Sequence, residues 1–165
     1  MTTDLDLPEL RPYLDGADHV DVKSATSTAG FREVVARSLS WQPAWLKALF
    51  AARALLARLI RLDEPSVPRG REIRPEDVSF TPGDTMAFFT VADGAEDRFL
   101  VVEAADNHLT GRLAVTAEPV AEGNLYTAIT IVHYHRRAGR FYFNLIRPLH
   151  HIVVRRMLAA GTRER

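Results

Sequence analysis

His133 and His135 lie two residues apart near the end of a strongly alternating stretch, Leu125–Arg136. In a strand, a period of two puts both imidazoles on one sheet face. Two neutral imidazoles on one face can begin a zinc site. No third or fourth ligand is marked by spacing, so no metal is expected. His150 and His151 are adjacent in an amphipathic stretch and so point to different sides. On a helical wheel His150 falls at the flank of the apolar stripe, one residue beyond Leu149, and His151 falls on the solvent side. A histidine at a cavity wall titrates near neutral pH and can act as a general base. The more ordinary role is that of a partly buried side chain with a local hydrogen bond after Pro148. Glu103 interrupts the apolar run Phe99-Leu100-Val101-Val102. Facing a core, its carboxyl would be pushed up and could serve as acid or base; at a strand end it would simply reach water. Tyr126, Tyr134 and Tyr142 offer phenol donors. Candidate catalytic groups are therefore His150, Tyr142 and Glu103.

These residues need elements to position them. His19-Val20-Asp21-Val22-Lys23 alternates, and Asp18–Ala25 reads as a half-buried strand. Thr28–Leu39 and Pro43–Leu62 read as helices, the first capped by Ser27 or Thr28, the second opened by Pro43. Glu64–Asp84 is rich in proline and reads as a loop, with a short strand at Val78–Thr81. Four strands follow: Thr85–Ala92 closed by Asp93-Gly94, Arg98–Ala105 closed by Asp106-Asn107, Leu109–Glu118, and Leu125–Arg136. Short turns between them make an antiparallel meander. Arg140–Ala160 carries Tyr142, Leu145, Ile146, Leu149, Ile152, Val153 and Met157 at helical spacing. Pro148 within it removes one hydrogen bond and is expected to bend or break that helix.

The expected fold class is α+β: a helix-grip arrangement, with a curved antiparallel sheet wrapped around a long C-terminal helix and two helices inserted after the first strand. Residues 1–17 are expected as an N-terminal tail frayed over its first dozen residues, 18–160 as one domain and 161–165 as a frayed C-terminal tail.

Composition limits the rest. Lys+Arg and Asp+Glu are 21 each. That balance removes a whole-chain electrostatic argument for nucleic acid, and no nucleic-acid partner is expected. Cysteine is absent, so disulfides, thiolate zinc and a Cys nucleophile are excluded; a reducing, cytoplasmic setting fits. The acidic start lacks the basic, apolar pattern of a signal peptide. No G-x-G-x-x-G, phosphate-binding Gly-Lys-Ser/Thr loop, G-x-S-x-G or H-E-x-x-H occurs, and no cofactor is expected. The basic side of Pro43–Leu62, with Lys47, Arg53, Arg58 and Arg61, reads as a solvated face or as a weak contact with an anionic membrane surface. The cluster around Arg136, Arg137 and Arg140 could hold a phosphate or carboxylate.

The ending "GRFYFNLIRPLHHIVVRRML" and the stretch "SWQPAWLKALFAARALLARLI" are similar to an uncharacterised bacterial family of unknown function that resembles the START/SRPBCC superfamily, the birch-pollen-allergen type. The likeness rests on Trp45, Arg53, Gly139-Arg140, Tyr142, Pro148 and His150. It departs from the family at Leu149, where relatives often carry an aromatic. The family has no assigned catalytic residues. The resemblance implies a cavity between sheet and last helix, sized for an apolar small molecule, and a dehydrogenase-like protein partner, since relatives are fused to such domains. The expected function is binding of an apolar or amphipathic small molecule by a monomer or small homo-oligomer. Expected lining residues are Phe89, Phe99, Ile129, Ile131, Tyr142, Ile146, Leu149 and His150. The alternatives are an enzyme of cyclase, dehydratase or hydrolase type using His150 as general base, and a membrane or partner interaction module.

Overall fold

A computed structural model describes residues 7–59 and 72–163. Six strands form one antiparallel sheet: β1 (His19–Ser27), β2 (Thr85–Met86), β3 (Phe89–Ala95), β4 (Phe99–Ala105), β5 (Leu109–Val120) and β6 (Gly123–Tyr134), in the order β1-β6-β5-β4-β3-β2. Among the described residues four α-helices accompany them: α1 (Arg11–Leu14), α2 (Phe31–Ser40), α3 (Ala44–Leu59) and α4 (Arg137–Gly161). The chain returns from β6 through α4 to lie across the sheet and against α2. This is the helix-grip arrangement anticipated from the order of hydrophobic patterns. Ile60–Leu62, expected as the end of α3, lie outside the described residues.

The sheet has two covered faces, and strand alternation sorts the side chains between them. Toward the helices point Leu100 and Val102, Leu113 and Val115, and Tyr126 and Ala128, packed with Phe31, Val34, Val35, Val154 and Leu158. The other face carries Phe99, Val101, Ala114, Ile129 and Ile131. This second core has a cover that composition hid. Pro8–Leu10 forms a 3-10 turn running into α1, and Leu10 is fully buried among those residues, with Leu7, Tyr13 and Leu14 around it. Arg98 binds Glu9 at 2.7 Å, and the His133 ring donates to the Asp15 carbonyl at 3.0 Å. Residues 7–17 are thus part of the folded domain and not a frayed tail. Their few apolar positions are used fully, which mean polarity does not reveal.

The Asp106-Asn107 turn forms as expected: the Asp106 carboxylate accepts from the His108 and Leu109 amides. The Asp93-Gly94 turn does not. Both residues continue β3 past a bulge between Val91 and Asp93, and the chain reverses instead at Glu96-Asp97, where Asp97 takes φ 60°. The segment expected as a strand at Val78–Thr81 instead follows a 3-10 turn, Pro75–Asp77, and the pairing strand comes at Thr85–Met86.

α4 runs unbroken through Pro148. Pro148 and Asn144 are both exposed, so the carbonyl that lost its partner faces water and the helix continues. Glycine makes the close approaches of α4. A Cβ at Gly139 would strike the backbone of His108, and one at Gly161 would strike Ser38 and the Val34 carbonyl of α2.

Candidate functional site

β1 is an edge strand, and α4 crosses its helix-facing side. Alternation places His19, Asp21 and Lys23 there, one after another. α4 brings His151 to meet them. The Asp21 carboxylate accepts from the Lys23 ammonium at 2.6 Å and from His151 Nδ1 at 3.1 Å. The His19 and His151 rings stand edge-on with centroids 5.7 Å apart, and His19 leans on Phe143 at 5.1 Å. Burial pushes Asp21 upward, but the Lys23 hydrogen bond and the charges of His151 and Lys23 outweigh it, and its pKa lies below the ordinary carboxylate value. His19 moves down: burial disfavours its cation, and His151 and Arg147 add to the effect. Lys23 Nζ also lies 3.4 Å from His151 Nδ1, so Asp21, Lys23 and His151 form one contact cluster.

Two polar atoms of this face have no hydrogen-bond partner among the described residues. They are His19 Nε2 and Thr130 Oγ1, both shielded from solvent. Thr130 is only 3% exposed and is the register partner of Asp21, so its side chain stands next to the carboxylate. A buried hydroxyl without a partner is costly, and native proteins carry few of them. One position further along, Lys23 pairs with Ala128. Ala128 lines an apolar void of about 10 Å³ between sheet, α2 and α4, with Leu100, Leu113, Val35 and Leu158 among its walls. The polar edge and the void adjoin on one face. The void has room for about one water.

The expected lining residues divide. Phe89 packs with the helix-facing core, and Tyr142 and Ile146 join Leu109, Val132 and Phe143 at its other end. Phe99, Ile129 and Ile131 lie on the opposite face beneath residues 7–17. An apolar run such as Phe99–Val102 is buried on both sides, so hydrophobicity alone leaves its parity open. Leu149 is 43% exposed, because α4 is rotated so that Tyr142, Phe143 and Val154 face inward. The same rotation turns His151 toward Asp21, correcting its solvent-side placement. His150 is half-buried with its ring 5.7 Å from Phe143.

The candidate catalytic set does not assemble. Glu103 points to the face away from α4, where Arg112 binds it at 2.7 Å and Tyr13 covers the Arg112 guanidinium. Tyr142 is on the helix side, beside His108. His133 accepts from Arg112 at 3.2 Å, and His135 pairs with Thr110 at 2.8 Å. The group missed from sequence is His19-Asp21-Lys23 with His151. Its signal was present: three ionisable residues on alternate positions of one strand that must face a buried surface.

A six-stranded antiparallel sheet gripping a C-terminal helix, with its polar cluster at the β1 edge, defines a helix-grip protein. The chain belongs to DUF2867, a family of proteins of unknown function, whose model matches residues 13–157. No curated protein matches it. Among solved structures it is similar to a polyketide-cyclase-like protein from Corynebacterium glutamicum (16% identity over 87% of this chain and 89% of that one, TM-score 0.40). It is also similar to an uncharacterised protein from Rhizobium leguminosarum (12% identity, 86% and 94% covered, TM-score 0.37). Both likenesses are distant.

Proposed function

We propose that this protein binds an amphipathic small molecule between the sheet and α4. The apolar part would displace the void beside Leu100, Leu113 and Leu158, and a hydrogen-bonding end would reach Thr130 and His19. The observation that carries the reading is two unpartnered buried polar atoms, His19 Nε2 and Thr130 Oγ1, on the same sheet face as an apolar void. A ligand oxygen there would satisfy groups that the protein leaves open. The void is far smaller than any such ligand, so binding requires the helical layer to move outward. α3 is the least anchored part of that layer: among its described side chains only Leu46 is buried.

Native mass spectrometry tests this reading, first on the protein as purified and then after incubation with decanoic acid. Retained mass that disappears on denaturation, or a one-to-one decanoate adduct weakened about fivefold by Thr130→Val, supports it. The apo mass alone in both samples overturns it.

A second reading has its own observation. The Asp21 carboxylate lies 3.1 Å from His151 Nδ1 and orients the ring, as a carboxylate beside a general-base histidine does. Were the protein an enzyme, His151 and not His150 would be that base. His151→Ala would then slow turnover by about 10²–10⁴-fold while leaving ligand binding nearly intact.

A further inference from the structure

We propose that the outer side of the α3–α4 layer is a docking surface for an anionic lipid bilayer. On α4, Phe141, Leu145, Leu149 and Ile152 follow one another at spacings of four, four and three, and form one stripe. All four are exposed, Phe141 to 62%. On α3, Trp45, Leu55 and Leu59 are exposed as well, Leu59 to 72%. The two stripes are neighbours. The Arg156 guanidinium sits over the Trp45 ring at 6.0 Å, and Leu56 packs against the cluster that holds Tyr142 and Phe143. These two contacts bring the start of α3 near the end of α4, and the later part of α3 near the start of α4. The exposed stripe of α4 extends roughly 16 Å along the helix.

Charge names the occupant. The 16 residues of α3 and the 25 of α4 contain no Asp or Glu, although the whole chain is balanced at 21 of each sign. α3 contributes Lys47 and Arg58, and α4 five arginines, of which Arg156 stands over the exposed Trp45. A second copy docking on this face would set cation against cation. A bilayer with anionic headgroups meets both features at once: Leu, Phe and Trp enter the headgroup–acyl boundary while Lys and Arg reach the phosphates. Among the described residues no helix is long and apolar enough to cross a membrane, so the contact is a surface one.

Co-sedimentation with sucrose-loaded vesicles tests the proposal, using phosphatidylcholine with and without phosphatidylglycerol. The protein should pellet with the anionic vesicles at low salt, and the bound fraction should fall as salt rises. Leu55→Glu and Leu145→Glu change exposed side chains, so the melting temperature should hold while vesicle affinity drops about tenfold or more. Lys47→Gln and Arg156→Gln should each weaken it about fivefold. The proposal fails if the wild-type protein stays in the supernatant with anionic vesicles, or if Leu145→Glu pellets equally well. It also fails if light scattering shows a dimer that Leu145→Glu dissociates and vesicles do not bind.

Discussion

Thr130 is where stability and binding should separate most cleanly. Its hydroxyl is buried without a partner among the described residues, and valine has nearly the same shape. Thr130→Val should stabilise the unliganded protein by about 1 kcal/mol, because an unsatisfied polar group is removed. The same change should weaken ligand binding. Thermal melts with and without decanoic acid read both effects; a loss of stability without ligand would show that the hydroxyl is satisfied. Asp21→Asn is the complementary case. It removes the acceptor of Lys23 and His151, and should cost about 1–2 kcal/mol in chemical denaturation. Acidification should act through the same cluster. The His19 pKa is lowered below its ordinary 6.5, so the unfolded chain takes a proton that the folded chain resists. Its contribution is complete above about pH 6.5 and is eroded as pH falls below that. Asp21 is held below 3.8, so its contribution persists above that value and is lost as pH falls through the folded pKa. Melting temperature should therefore decline in two stages on acidification, and His19→Gln should remove the upper stage only.

At the scale of elements, the meander, the two inserted helices and the closing helix were legible because each carries a long, regular period. Boundaries moved by a few residues, as at β1, which ends at Ser27 and not at Ala25. Parity was illegible where burial is two-sided. Phe99-Leu100-Val101-Val102 is apolar at every position, so only the presence of a second cover decides which pair meets α4. The Asp93-Gly94 signal misled because glycine also suits a bulge, and here β3 contains both. Gly139 belongs to the family motif, and the structure supplies its physical reason. A Cβ there would strike the His108 backbone, where the first turn of α4 sits on the β4–β5 turn. Gly139→Ala should destabilise by about 1–3 kcal/mol. A melting temperature equal to the wild type would mean that α4 can shift without cost.

At the scale of the molecule, two cores share one sheet, and the one beneath residues 7–17 was invisible from sequence. Five scattered apolar residues, Leu7, Leu10, Tyr13, Leu14 and Ala17, do not announce a cover. Leu10→Ala should cost about 2–4 kcal/mol by denaturant titration, as for a fully buried leucine. Indifference to the change would mean that the segment is not docked in solution. The other core carries the central claim, that its sheet–helix interface admits an amphipathic ligand. Methyl-resolved NMR titration with decanoic acid tests this most directly. The account predicts shifts concentrated at Val35, Val102, Leu113, Leu158 and Thr130, saturating at one ligand per chain. Shifts confined to the exposed Leu55, Leu145 and Leu149, or no shifts at all, would contradict it.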